Sequence, residues 1–252
     1  MLSIVTLTRD NFEELEATIA STRDVSVPFE NVVVNGGRCA RTAAWLDAHV
    51  ANHVSEPDDG IADAFDKGLG RARGDAVLFL NSGDVLTDPR YVDEACAALA
   101  QDPQLDFVYA NVDVRHYSGR IVTQRSGAAL PQMPFCHPTL ICRREVFARI
   151  GGFDRSLRLA MDLDFAFRLV GGGFRGRHVD RSVVLMDGTG LSSTRHFLAY
   201  REKARLVFRY RRFDRHALRY LVVYGVVIPC ALLAKWLLPA GFRARLRGRM
   251  LD

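Results

Sequence analysis

Two acidic positions carry most of the chemical interest. Asp84 ends the run Asn81-Ser82-Gly83-Asp84, which follows the apolar stretch Ala76 to Leu80. Such a run, bounded by turn residues, reads as a buried strand. Asp84 then falls on a strand-end loop, where Gly83 lets the backbone approach a ligand and a carboxylate can hold a hard divalent cation. An aspartate there is also an ordinary turn residue. Asp162 and Asp164 lie two apart at the start of an expected helix, after Gly151-Gly152-Phe153-Asp154. Residues two apart on a helix do not face each other, so one points into a given cleft while the other caps the helix or pairs with an arginine. A carboxylate in a cleft can act as a general base. His137, ahead of Pro138, could bind a phosphate or an acceptor hydroxyl, or serve as a structural histidine. Asp58-Asp59-Gly60 precede another helix, where aspartate is a good cap.

The elements that must position these groups alternate. Leu2 to Leu7 reads as a strand, and Asp10 as an N-cap with Glu13 three residues on, opening a helix through about Ser21. Asn31 to Asn35 is a second strand, Arg41 to Val50 a helix, and His53 to Ser55 a short strand. Ile61, Ala64, Phe65, Leu69 and Ala72 keep helical spacing before the strand at Ala76. A β-α-β-α-β series implies a mostly parallel central sheet flanked by helices, with ligands at the carboxyl ends of its strands. Thr6, Thr8, Asn35, Asn81 and Ser82 collect there. The second half changes character. Phe107 to Ala110 and Arg120 to Gln124 flank a Ser118-Gly119 turn and look antiparallel. A Pro-containing loop over 126–138 leads to a strand at Thr139 to Cys142. Helices near Arg144 to Ile150 and Asp162 to Val170 follow, with a last strand at Val183 to Met186.

The 252 residues, 48% hydrophobic and 25% charged, exclude a disordered chain and can bury a real core. Five cysteines without a CxxC pair fit a reducing environment. The N-terminus MLSIVTLTRD has no basic segment and is expected to be a strand, neither a secretory signal nor an anchor. Residues 1–194 carry 20 basic against 26 acidic side chains (−6), and residues 195–252 carry 14 against 3 (+11). A basic tail on an acidic body meets a polyanion, a membrane surface or nucleic acid. Leu198 to Tyr210 has helical periodicity, and Tyr220 to Ala234 contains no formal charge. That run is shorter than the roughly 20 residues of a membrane span. Gly225 and Pro229 interrupt it, Arg219 and Lys235 bound it, and Arg243, Arg245, Arg247 and Arg249 follow. A helix or hairpin in the membrane interface accounts for it, and a buried C-terminal helix is the alternative. An uncharged stretch of this kind argues against a nucleic-acid arm, and no glycine-rich phosphate loop near the N-terminus points to a nucleotidyltransferase.

These pieces, in this order, resemble a family 2 glycosyltransferase of the GT-A fold. SEPDDGIADAFDKGLGRARGDAVLFLNSGD (Ser55 to Asp84) resembles the donor-site stretch of bacterial polysaccharide glycosyltransferases. HPTLICRREVFARIGGFDRSLRLAMDLDFAFRL (His137 to Leu169) resembles their acceptor and catalytic-base stretch, and enzymes of colanic-acid-like exopolysaccharide assembly are the most alike. The resemblance covers roughly residues 1–205 and implies roles. Thr6 and Thr8 would line the nucleotide pocket, and Asn35 stands where the family usually has an aspartate facing the base. Asp58 and Lys67 would lie along the nucleotide and diphosphate path. Asn81 and Ser82 would sit near the ribose, with Asp84 holding Mg²⁺ or Mn²⁺ weakly because the Asp-x-Asp motif has lost an acid. Asp162 would be the base, with Asp164 as fallback. The implied activity is inverting transfer from a nucleotide sugar, UDP-linked by preference, to a glycan or lipid-linked acceptor in cell-surface polysaccharide synthesis. A catalytically silent sugar-nucleotide-binding scaffold is the alternative. The expected division is a catalytic domain over 1–197, with a donor half to about 110 and an acceptor half beyond, and a membrane-interface tail over 198–252. The expected location is the cytoplasmic face of the inner membrane, with no nucleic-acid partner.

Overall fold

A computed structural model describes residues 1–127, 134–188, 195–210, 215–227 and 230. The first half runs β1 (Leu2–Thr8), α1 (Phe12–Ser21), β2 (Phe29–Asn35), α2 (Ala40–His49), β3 (Asn52–Ser55), α3 (Ile61–Arg71), β4 (Ala76–Phe79), β5 (Val85–Leu86) and α4 (Arg90–Gln101). The second runs β6 (Phe107–Arg115), β7 (Ile121–Gln124), a 3₁₀ turn (His137–Thr139), β8 (Ile141–Arg143), α5 (Arg144–Ile150), α6 (Met161–Gly171) and β9 (Gly176–Asp187). Then come α7 (His196–Arg209), α8 (Arg215–Val222) and a π turn (Val223–Val227).

One sheet joins the halves in the order β3-β2-β1-β4-β8-β6-β9-β5, with β7 beside β6. The donor half is parallel: β1 pairs with β2 and β4, and β2 with β3. Beyond β4 the sheet becomes mixed, because β8 runs antiparallel to both β4 and β6 while β6 and β9 stay parallel. The β6–β7 hairpin is antiparallel, as the Ser118-Gly119 turn implies.

Period-two alternation explains the two apolar layers. Val5, Leu7, Val77 and Phe79 face the layer that holds Phe65, Phe147 and Phe165; Leu2, Ile4, Ala76 and Leu78 face the one that holds Tyr91 and Leu99. Both faces of the central strands are covered, so β1 is buried at every position. Helix α3 lies close to the sheet because Gly68 has no side chain; a Cβ there would come within 2.3 Å of Val5 Cγ1.

Several expectations need correcting. The N-cap of α1 is Asn11, not Asp10. Asp10 takes a left-handed conformation, φ 55°. Its carboxylate accepts the Arg38 and Cys39 N–H groups at 2.7 and 3.0 Å, so it secures the start of α2 instead. Helix α4 and strand β5 were not expected, and β9 begins well before Val183. A boundary at residue 197 falls inside α7, which is tied to the body: Arg209 and Tyr210 both bond Asp164. Among the described residues no helix is long and apolar enough to cross a membrane. Leu218, Val222, Val226 and Val227 are exposed on α8 and the turn after it. Most of the uncharged run beyond them, with Lys235 and Arg243 to Arg249, lies outside the described residues.

Candidate active site

The carboxyl ends of β1, β2, β3 and β4 open on one side of the sheet, and the residues singled out above gather there. After β4 the chain makes a tight turn: the Asp84 N–H donates to the Asn81 carbonyl at 2.8 Å, and the Asn81 N–H to Asp84 Oδ2 at 3.0 Å. Gly83 supplies the left-handed step, φ 102°. Thr18 of α1 locks the turn from behind, its hydroxyl donating to the Asp84 carbonyl at 2.8 Å and accepting the Gly83 N–H at 3.1 Å. Ser82 is fixed to β1 through its N–H and the Leu7 carbonyl, 3.0 Å.

This turn presents Asp84 as a buried carboxylate. Burial raises its pKa to about 6, against the opposing charge of His137 and the Asn81 N–H, while Asp187 adds to the rise. Asp187, at the end of β9, escaped sequence reasoning because nothing in its neighbourhood looks like a motif.

His137 stands at the centre. Its Nε2 meets the Asn81 amide at 3.0 Å and lies 4.0 Å from Asp84 Oδ2; its Nδ1 lies 3.8 Å from Asp162 Oδ2. The ring rests edge-on against Phe65, with centroids 5.6 Å apart. The structure therefore brings Asp84, Asn81, His137 and Asp162 together, although the chain separates them by up to 81 positions. A narrow apolar hollow lined by Phe79, Phe147, Phe153 and Phe165 reaches both His137 and Asp162.

The two aspartates of α6 separate as helical geometry requires. Asp162 is partly exposed, and its Oδ1 accepts the Leu163 N–H at 2.7 Å in the first turn of α6, where the helix favours negative charge. Asp164 is buried away from that cleft. It accepts from Arg168 Nε at 2.9 Å, the Arg209 guanidinium at 3.1 Å and the Tyr210 hydroxyl at 2.8 Å. Asp164 is thus committed to packing, which removes it as a fallback base or acceptor contact.

Other expected donor-side residues prove to be internal braces. Lys67 Nζ is held by Glu56, Asp58 and Asp63 at 3.0 to 3.1 Å and by the Pro57 carbonyl at 2.7 Å. These carboxylates push its pKa well above the usual lysine range despite burial. So occupied, Lys67 shapes the 56–63 segment rather than offering a free ammonium to phosphate. Asp58 in turn lies against Gly36, where a Cβ would come within 1.9 Å of its Oδ2. The Asn35 amide donates to Ser55 Oγ at 3.2 Å and accepts the Gly37 N–H at 3.0 Å, so both ends are used. Thr8 donates to Asn11 Oδ1 at 2.7 Å, whereas the buried Thr6 hydroxyl has no protein partner. Sequence reasoning also passed over Lys203 of α7, a half-buried ammonium close enough to feel the charge of Asp162.

No cluster of three or more metal-ligating side chains exists among the described residues. The oxygen donors present nevertheless suit a hard cation that takes its remaining ligands from substrate and water: Asp84 is a buried carboxylate, and Asn81 Oδ1 beside it is buried without a protein partner.

A parallel half-sheet with polar groups converging at its strand ends defines an α/β protein that binds its ligand there. The model of Glycosyl transferase family 2 matches residues 3–161, and the chain belongs to that family. It is accordingly a glycosyltransferase. A PGL/p-HBAD biosynthesis glycosyltransferase of Mycobacterium bovis is 28% identical over 179 residues, covering 67% of this chain and 69% of the relative. The fold is shared with the mannosyltransferase PcManGT from Pyrobaculum calidifontis, solved with GDP-Man and Mn²⁺, at a TM-score of 0.66 and 16% identity. That match covers 99% of this chain and 79% of the other. S. aureus TarS 1-349, in complex with UDP-GlcNAc, also gives 0.66 at 16% identity, over 88% and 73%.

Proposed function

We propose that the chain is an inverting transferase that moves a sugar from a nucleoside diphosphate sugar, UDP-linked by preference, to a hydroxyl of a glycan or lipid-linked acceptor in cell-surface polysaccharide synthesis. One observation carries this reading: His137 lies between Asp84 and Asp162, so the carboxylate suited to the diphosphate side and the carboxylate suited to the acceptor side border one space.

The donor lies along the ends of β1 and β2, past Thr6, Thr8 and Asn35, with Asp58 and Lys67 shaping the wall and Asn81 and Ser82 near the ribose. Asp162 takes the proton of the acceptor hydroxyl as its oxygen attacks the anomeric carbon from the face opposite the diphosphate. The bond from that carbon to the phosphate oxygen breaks, its electron pair leaves with the diphosphate, and the configuration inverts. Asp84 and Asn81 Oδ1 would hold Mg²⁺ or Mn²⁺, whose chemistry is to neutralise charge on the departing diphosphate. His137 orders Asn81 and faces Asp162, where it contacts the acceptor hydroxyl or a phosphate oxygen. The apolar walls of Phe79, Phe147, Phe153 and Phe165 strengthen these electrostatic contacts by excluding water.

The complexes of the two structural neighbours, with GDP-Man and Mn²⁺ and with UDP-GlcNAc, support the donor class and the cation. Arg215 and Arg219 beside the exposed Leu218 and Val222 support contact of the tail with an anionic membrane, the cytoplasmic face of the inner membrane being the expected location. A silent scaffold is not favoured, since both carboxylates are retained and share the cleft.

The test is thermal stabilisation by UDP-, GDP- and dTDP-sugars with and without Mn²⁺, because a ligand of the folded state raises its apparent stability. Metal-dependent stabilisation by one nucleotide class is expected. Stabilisation by none would contradict nucleotide-sugar binding, and with it both the transferase and the sugar-nucleotide-binding scaffold.

A further inference from the structure

We propose that Glu202, on α7, is a positioning residue for the base: its carboxylate fixes the backbone turn from which Asp162 projects. The inference rests on the assignment of Asp162 as base.

Helix α6 has no cap of its own, because its N-cap residue is Ala160 and no side chain from that position reaches its first N–H groups. The residues just before it instead turn their N–H groups to a carboxylate some forty positions further along the chain. Glu202 Oε1 accepts the Arg158 N–H at 2.7 Å, and Oε2 accepts those of Leu159 and Ala160 at 2.8 and 2.9 Å. Glu202 is only 5% exposed. A carboxylate buried to that degree is costly unless its lone pairs are met, and three successive backbone donors meet them with charge-assisted bonds. The segment 158–160 therefore has one favoured placement, set by α7.

A second tether from the same helix lies on the other side of the base. Arg209 and the adjoining Tyr210 hold Asp164, two residues beyond Asp162. Asp162 sits between these tethers, while its own carboxylate accepts the neighbouring Leu163 N–H and lies 3.8 Å from His137 Nδ1. Its aim at His137 and the acceptor is thus inherited from the backbone that Glu202 and Asp164 pin down. Displacement of a reacting group by about 1 Å can cost on the order of 100-fold in rate. Segment 198–210, which reads in the sequence as the start of a tail, becomes a strut of the active site.

The test compares Glu202→Gln, Glu202→Ala and Asp162→Asn in the full chain. Release of nucleoside diphosphate is followed from UDP-, GDP- and dTDP-sugars, with a bacterial membrane lipid extract as the acceptor pool. Glu202→Gln keeps the shape of the side chain but not the symmetric charge, and is expected to lower kcat roughly 10- to 100-fold with donor KM within about 2-fold of wild type. A merely structural role would lower the melting temperature and the fraction of chains that bind donor, leaving kcat per donor-binding site unchanged. If Glu202→Ala does not fold, Glu202→Gln decides alone. Loss of turnover in Asp162→Asn with wild-type kcat in Glu202→Gln overturns the positioning role and leaves the base standing. Full turnover by Asp162→Asn, or none by the wild type with any donor, overturns the base assignment and the positioning role with it.

Discussion

Replacing Asp164 by Asn should separate the two aspartates of α6 by what they do. The Asp164 side chain is 2% exposed and neutralises two guanidinium groups, Arg168 at 2.9 Å and Arg209 at 3.1 Å, while accepting from Tyr210. Removing one partner of a fully buried ion pair costs about 3–5 kcal/mol. The two arginines are 21% and 34% exposed, so water recovers part of that loss, and about 2–3 kcal/mol remains. For a chain of this size each kcal/mol moves the melting temperature by roughly 2–4 °C, so Asp164→Asn should melt roughly 5–10 °C lower. Asp162, partly exposed and bonded to a single N–H, gives up under about 1 kcal/mol of helix-terminus interaction and should melt within roughly 4 °C of wild type. Thermal unfolding followed by circular dichroism, at one pH and salt, reads both. A wild-type melt for Asp164→Asn, or the larger drop for Asp162→Asn, would refute the division of labour.

Gly68→Ala should destabilise by about 1–3 kcal/mol in urea unfolding, because the added methyl meets Val5 beneath α3. The Asp154 carboxyl is held at about 2 by its hydrogen bond to Ser156 and by Arg209. Its stabilisation is therefore complete above the unfolded pKa of about 3.9 and is lost as pH falls from there to about 2. Asp154→Asn should be less stable than wild type at pH 6 by about 1 kcal/mol after solvent screening, and the gap should close by pH 2 in melts across that range. A chain ending after Tyr210 should keep its fold but sediment less with anionic vesicles. One ending after residue 197 loses the contacts of Glu202, Arg209 and Tyr210, and its melt should lose cooperativity; equal melts for the two would contradict the docking of α7.

Local signals carried the parallel half of the fold. Short apolar runs such as Ala76 to Leu80, and helical spacing from Ile61 to Ala72, depend on neighbours in the chain, and so does the turn chemistry of Asn81 to Asp84. The split between Asp162 and Asp164 was legible for the same reason, since helical periodicity alone sends them to different sides. What the sequence hid are groups whose partners are remote. Asp10 looks like a cap for the helix that follows it, yet it serves α2, because a left-handed backbone at that position turns the carboxylate toward Arg38 and Cys39. Lys67 looks like a phosphate ligand until three carboxylates close on it. Glu202 sits in an arginine-rich helix that reads as an interface element, and only the packing of α7 on α6 gives it a role. Asp187 becomes notable only once β9 delivers it beside the turn at Gly83.

The most direct test of the account is the rate of sugar transfer by Asp162→Asn measured beside its donor affinity. Loss of a general base removes about 10²- to 10⁴-fold from transfer. The proposed donor contacts are at the strand ends on the Asp84 side, so the dissociation constant for the nucleotide sugar should stay within about 2-fold of wild type, that is within about 0.4 kcal/mol. Transfer within a few-fold of wild type, or a fall in affinity that matches the fall in rate, would contradict the assignment of Asp162 as the base.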